Sequence, residues 1–169
     1  MRCVLLLVLA FVLVPKLFSA ENLLIMDVFA RLTPTGQTAP VPDPFIESVL
    51  RGETSSAPEE ISQLDRKWFQ INSTGQDLKT DLNGLGGQRV AVSFTVSVLP
   101  NGDCAVTNFQ ALASATNKQS FAPGSSQVSS IGGFKISPGQ RIAQFVTASS
   151  ETGTVTYYLI FSAAKGVAG

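Results

Sequence analysis

Histidine is absent from all 169 residues of the sequence. It is the side chain that most often serves as a general base and as a transition-metal ligand near neutral pH. Its absence excludes histidine-dependent catalysis and the commonest zinc sites. Charged residues are also scarce, at 14%, and the twelve basic and twelve acidic residues cancel. No net charge therefore favours binding to nucleic acid or to an anionic membrane surface.

Cysteine occurs only twice, at Cys3 and Cys104. Cys3 lies in a segment that we interpret as a leader, so the mature chain has one thiol and forms no internal disulfide. We expect Cys104 to be a buried structural residue, because it precedes apolar Val106 in a predicted strand and no histidine is present to activate it. An unpaired thiol in an oxidising compartment also makes Cys104 a candidate for an intermolecular disulfide.

Residues 1–20 have the three-part pattern of a secretory signal peptide. Met1 and Arg2 give a basic start, residues 4–14 form an unbroken apolar run, and a more polar stretch ends at Ala20. A helix of that run would rise about 16 Å, which is too short for roughly 30 Å of hydrocarbon. The sequence therefore predicts a secreted or periplasmic protein, with cleavage after Ala20 and no stable membrane span after processing.

The chain after the leader divides by composition into three parts. Residues 21–42 combine an apolar N-terminal segment, suited to a short helix or an added strand, with a proline-rich linker. Residues 43–164 are predicted to form a single globular domain, followed by a loose tail at 165–169. Apolar residues make up 44% of the sequence, which is enough to bury a core.

The first part of this domain is predicted to be helical. Asp43 suits the N-cap of a short helix, and Gly52 suits its C-terminal end. Thr74 and Asp77 form another capping pattern, ahead of a glycine-rich turn at residues 84–87. Between them, a helix is predicted to begin at Ser56, because apolar residues follow at spacings of three or four: Ile61, Leu64, Trp68 and Ile71.

From residue 90 the apolar pattern changes to a period of two, which is typical of strands. Residues 90–98 and 104–112 are predicted to pair through a tight reversal, with a bulge near Asn108. Strands on either side of a type II turn at 137–140 are predicted to form a second hairpin, residues 155–161 a final strand, and residues 114–133 a long surface loop. The combined prediction is an α+β fold, with N-terminal short helices packed on an antiparallel, hairpin-rich sheet.

We predict no catalytic, cofactor-binding or metal-binding residue. Asp77 with Asp81, and Glu59 with Glu60, are interpreted as solvated carboxylates on or near helices. Asn72 begins an Asn-Ser-Thr acceptor sequence for an N-linked glycan.

Three functions stay open on these grounds. The first is a non-catalytic secreted or periplasmic interaction or structural module that binds a protein or a surface assembly. The second is a carrier of an apolar small molecule, with Tyr157 and Tyr158 among the aromatic residues available to line its groove. The third is a hydrolase that uses only carboxylates or hydroxyls. An enzyme is the less favoured class.

Overall fold

The computed structural model describes residues 22–53, 56–72, 74–115, 128–150 and 152–165. The predicted signal peptide, most of the predicted tail and residues 116–127 of the predicted loop lie outside these ranges. The described part is almost entirely β-structure, and its one α-helix is short. The elements are β1 (Asn22–Pro34), α1 (Pro44–Leu50), β2 (Ile61–Ile71), β3 (Gln76–Asn83), a 3₁₀ turn (Leu85–Gly87), β4 (Gln88–Val98), β5 (Cys104–Ala115), β6 (Val128–Ile136), β7 (Arg141–Ser150) and β8 (Gly153–Lys165).

Within the described ranges, eight strands form two antiparallel sheets that pack face to face. Sheet A has the order β2-β1-β8-β7, and sheet B has the order β3-β4-β5-β6. The connections from β2 to β3 and from β6 to β7 pass from one sheet to the other. The fold is therefore an all-β sandwich, and the prediction of an α+β fold with several N-terminal helices is wrong.

The core lies between the sheets and is filled by alternate residues of both. Phe161 of β8 meets Phe94 of β4 and Phe109 of β5 edge to face, with ring centroids 5.6 and 5.9 Å apart. Tyr157 also points into this layer and is fully buried. Its hydroxyl donates a hydrogen bond to Gln88 Oε1 and accepts one from the backbone N–H of Leu85, 3.1 Å away. This pair of bonds ties sheet A to the turn between β3 and β4.

Two of the predicted helices are strands. The segment from Ser56 to Ile71 contains β2, which pairs antiparallel with β1. The segment after Thr74 contains β3, which pairs with β4 and buries Leu82. The segment after Thr74 satisfies both helical and strand periods, because Leu78 and Leu82 share a face at either spacing. In the other segment, Phe69 and Ile71 have the spacing of a strand, beside the helical spacing of Ile61, Leu64, Trp68 and Ile71. Pairing with neighbouring strands decides between the two, since it satisfies the backbone along the whole segment.

Other local predictions are confirmed. Helix α1 begins after Asp43, whose side chain caps it, and Gly52 has φ +79° just beyond its end. Strands β4 and β5 form the expected hairpin, and Asn108 has φ +51° at an irregularity in their register. Strands β7 and β8 pair through the turn that contains Gly153.

Three segments differ from their predictions or settle an open choice. The turn at residues 137–140 exists, with Gln140 N donating to Ser137 O at 2.9 Å. It does not close a hairpin, because β6 and β7 belong to different sheets. Residues 128–133, predicted as loop, belong to β6.

The N-terminal segment forms β1, inside sheet A between β2 and β8, so the strand alternative is confirmed; the boundary predicted at residue 42 falls in its connection to α1. Among the described residues, no helix has the length and apolar character needed to cross a bilayer.

Candidate functional site

Helix α1 covers part of the outer side of sheet A, the side that faces away from sheet B. Strand side chains alternate between the two sides, so the residues of β1 and β8 that do not enter the core meet the helix. The helix and the sheet thus form a second apolar cluster. Its buried members are Phe29, Phe45, Ile46, Val49, Ile61 and Ile160.

Polar contacts fix both ends of this helix. Asp43 is buried, and its Oδ1 accepts hydrogen bonds of 3.0 and 3.3 Å from two backbone N–H groups of the first turn. Its Oδ2 lies 2.6 Å from Nε of Arg31, an ion pair in which the N–H is not directed at the oxygen. Tyr158 donates to the same oxygen at 3.5 Å, and burial followed by the Asp43 charge raises the Tyr158 pKa. At the other end, Arg141 Nη1 donates to Val49 O at 2.7 Å.

Two large aromatic side chains remain exposed beside this covered area. Trp68 on β2 is 58% exposed, and Phe145 on β7 is 62% exposed. The Arg66 guanidinium lies 5.9 Å from the centroid of the Trp68 ring. Arg66 also donates two hydrogen bonds to the carboxylate of Asp27. These hydrogen bonds, and then the charge of Asp27, raise the pKa of Arg66.

Strand register shows that these groups share one surface. Trp68 lies opposite Ile25, Arg66 opposite Asp27, and Phe145 opposite Tyr158. Directly opposed residues of antiparallel strands point to the same side. We call this surface the outer patch of sheet A, defined as Ile25, Asp27, Arg66, Trp68 and Phe145. The apolar cluster under helix α1 includes residues of all four strands of the sheet, whereas the two exposed aromatic residues lie on its two edge strands, β2 and β7.

A cleft of about 300 Å³ opens between α1 and the sheet and reaches into the outer patch. Its lining includes the charged residues Asp27, Arg66, Arg141 and Glu53, together with Phe29 and Phe45. The cleft therefore offers buried aromatic edges and paired charges. Such a surface can bind an apolar side chain that ends in a polar group. Its charges are paired, so it presents no net electric field of either sign.

Of the two site residues predicted from the sequence, Cys104 lies in the other sheet, and Asn72 lies four residues after Trp68 of the outer patch. Cys104 is buried on the core side of β5, as expected for a structural residue. Burial, and then the charge of Asp103, raises its thiol pKa. The intermolecular disulfide stays a prediction, and it requires the core beside β5 to open. Asn72 is exposed after the end of β2, where its glycosylation also stays a prediction.

The carboxylates considered earlier do not converge. Asp77 and Asp81 lie on β3, not on a helix, and both are exposed. Four residues of strand separate them by about 13 Å, which exceeds the spacing used by paired glycosidase carboxylates. Glu59 and Glu60 are exposed in the turn before β2, and the helix start predicted for them is wrong. Among the described residues, no group of three or more metal-ligating side chains is brought together.

Sequence reasoning missed the outer patch because it placed Trp68 on the buried face of a helix. A signal of the correct arrangement is present. Arg66, Trp68 and Gln70 alternate with Lys67, Phe69 and Ile71, a period of two that predicts a strand with Phe69 and Ile71 inward. That reading leaves Trp68 on the outer side.

The sandwich framework is one that many unrelated proteins share, so architecture alone carries no function. Comparison of the chain with models of protein families, with curated proteins and with solved structures gives no match.

Proposed function

We propose that the protein is an exported, non-catalytic interaction module that binds a protein partner through the outer patch of sheet A. The observation that carries the proposal is the exposure of Trp68 and Phe145 on one side of one sheet, at 58% and 62%. Large aromatic side chains exposed on a rigid sheet are typical of binding surfaces, and Trp and Arg are enriched among the residues that dominate binding energy. Trp68 with its neighbour Arg66 forms the centre of the proposed surface, and Phe145 lies on the opposite edge strand of the same sheet.

Burial of Trp68 alone represents a substantial binding contribution. A tryptophan buries about 150–250 Å², so the exposed part of Trp68 corresponds to roughly 100–150 Å². At about 25 cal/mol per Å², its burial contributes about 3 kcal/mol. The forked contact between Arg66 and Asp27 holds the guanidinium beside the ring, so little side-chain entropy is lost when a partner covers the pair.

A protein partner fits the chemistry of the patch. Arg66 is neutralised by Asp27, so the patch has no excess positive charge for nucleic acid or anionic lipid. Export is proposed from the leader pattern of residues 1–20. In the described residues, nothing favours the apolar carrier or the carboxylate hydrolase: the space between the sheets is filled by side chains such as Tyr157 and Phe161, and Asp77 and Asp81 lie about 13 Å apart along one strand.

Affinity capture from the native culture medium or envelope tests this proposal. Wild type is compared with Trp68→Ser and with Leu112→Ser, a matched control that removes a 38%-exposed apolar residue from the other sheet. We expect one captured protein to be lost with Trp68→Ser and kept with Leu112→Ser. Trp68 is the single tryptophan of the chain, so the same partner must also protect its fluorescence from acrylamide quenching. A capture profile that Trp68→Ser leaves unchanged, or fluorescence that stays fully quenchable, would contradict the proposal.

A further inference from the structure

Strand β3 is an edge strand of sheet B. In the described part of the chain it pairs only with β4. Its odd-numbered side chains, Asp77, Lys79 and Asp81, are exposed on the outer side of the sheet. Leu78 and Leu82 face the core. An outer strand presents a row of backbone N–H and C=O groups that can pair with another strand. The charge order along β3 determines which strand fits.

We propose that β3 pairs antiparallel with β3 of a second copy of this chain, about a two-fold axis at Thr80. In this register Lys79 of each copy lies opposite Asp81 of the other, which gives two symmetry-related ion pairs on the outer side. Leu78 lies opposite Leu82 on the core side. Opposite charges and apolar pairs that face each other directly across antiparallel strands stabilise the pairing. The strand is thus complementary to itself, as a two-fold interface requires.

Neighbouring registers fit less well. An axis at Lys79 places Lys79 against itself and Asp77 against Asp81, so like charges meet. An axis at Leu78 pairs Asp77 with Lys79 but overlaps residues 76–80 only, whereas the axis at Thr80 keeps residues 77–83 paired. The register at Thr80 therefore combines the charge match with the longest pairing.

Strand β2, the edge strand of sheet A on the same side of the sandwich, is protected against the addition of another strand. Asp65 and Lys67 of β2 lie opposite Val28 and Met26, so they point toward the core side at the edge. They form an ion pair of 2.8 Å, and the register of β2 is interrupted beside Asp65. Inward charges and bulges of this kind prevent strand addition. Strand β3 has neither feature along residues 76–83.

The expected interface is small. A strip about 24 Å long and about 20 Å wide, covering β3 and the adjacent edge of sheet A, corresponds to about 500 Å² per copy and on the order of 1,000 Å² in total. This area is at the lower limit for a specific complex. We therefore expect a reversible dimer in the micromolar range, weakened by salt because its ion pairs are exposed. This inference is independent of the function proposed for the outer patch of sheet A.

Sedimentation velocity from about 1 µM to about 1 mM tests the dimer. Wild type should approach twice the monomer mass at the upper end. Lys79→Asp should weaken association roughly 10- to 100-fold, because two attractive pairs become repulsive. The double change Lys79→Asp with Asp81→Lys should restore it, since it exchanges the two charges within each pair. Lys135→Asp, the same change at an exposed residue of β6, should associate as wild type does.

Far-UV circular dichroism and urea unfolding establish that each variant folds, as expected for substitutions at exposed positions. A wild type that stays monomeric at the highest concentration overturns the inference. A Lys79→Asp variant that associates as strongly as wild type does the same. Failure of the exchanged pair to restore association overturns the register at Thr80.

Discussion

Replacement of Tyr157 by Phe removes the one hydroxyl that ties sheet A to the turn between β3 and β4. Gln88 Oε1 then loses a donor, and Leu85 N–H loses its acceptor. Gln88 is buried, so water does not readily replace the missing group. A buried polar group without a partner costs about 1–3 kcal/mol, and the phenyl ring preserves the packing. We expect Tyr157→Phe to lower the free energy of unfolding by about 2 kcal/mol at pH 7.

The stabilisation that the Tyr157 hydroxyl provides also depends on pH, and its direction follows from the pKa of this group. Burial raises the pKa of Tyr157 to about 12 from its ordinary 10.0, and the hydrogen bond from Leu85 N–H acts in the opposite direction. The folded state thus keeps the phenol protonated while the unfolded chain ionises. The stabilisation is complete below pH 10 and is lost as pH rises from 10 through 12. At pH 11, wild type should have lost about 1.4 kcal/mol through this group.

Urea unfolding at pH 7 and at pH 11 measures both components. The difference between wild type and Tyr157→Phe should be about 2 kcal/mol at pH 7 and below about 1 kcal/mol at pH 11. Tyr158, the only other tyrosine, is present in both proteins, so its own titration cancels. The control Tyr158→Phe removes only a 3.5 Å contact with Asp43 and should cost less. A difference that is equal at both pH values, or below about 0.5 kcal/mol at pH 7, would refute the reasoning.

Three further outcomes are expected. Asp43→Ala should lower the free energy of unfolding by about 3 kcal/mol in urea, because it removes the cap of α1 and leaves Arg31 without its partner; Asp43→Asn, which keeps a capping oxygen, should cost less, and equal losses would assign the whole effect to the charge. Gly153→Ala should lower the melting temperature by about 10 °C, since Gly153 has φ +152° and a Cβ there would approach Thr33 O; an unchanged melt contradicts this. Cys104 should react with a thiol reagent at least about 100-fold more slowly in the native state than in urea, and equal rates would show that its burial is lost in solution.

The sequence predicts local structure well where its residue pattern is compatible with only one kind of secondary structure. Asp43 and Gly52 mark the two ends of α1, and the strict alternation of residues 90–98 defines β4. Prediction from the sequence fails where one spacing suits both a helix and a strand, as it does for Leu78 and Leu82. The choice between helix and strand then depends on pairing partners that are distant in sequence. No local signal in β2 reveals that residues 22–34, far upstream, provide its neighbour.

The same limit explains the missed patch and the separated hairpin. Exposure of Trp68 follows from which side of β2 meets the core, and that depends on the second sheet. The turn at residues 137–140 has the residues of a reversal, but whether it joins strands within a sheet or between sheets is decided by the packing of Phe134 and Ile142. Turn chemistry specifies a change of direction and leaves the pairing open.

The pairing of β1 with β8 has a consequence for how the molecule is made. These strands are in register along their whole length, from Asn22 with Lys165 to Pro34 with Gly153. Sheet A therefore cannot be completed during synthesis until β8 has left the ribosome, and the contacts between β1 and β8 are among the most distant in sequence within the described residues. Topologies of this kind fold slowly. Until β8 is made, β1 has one of its two neighbouring strands missing.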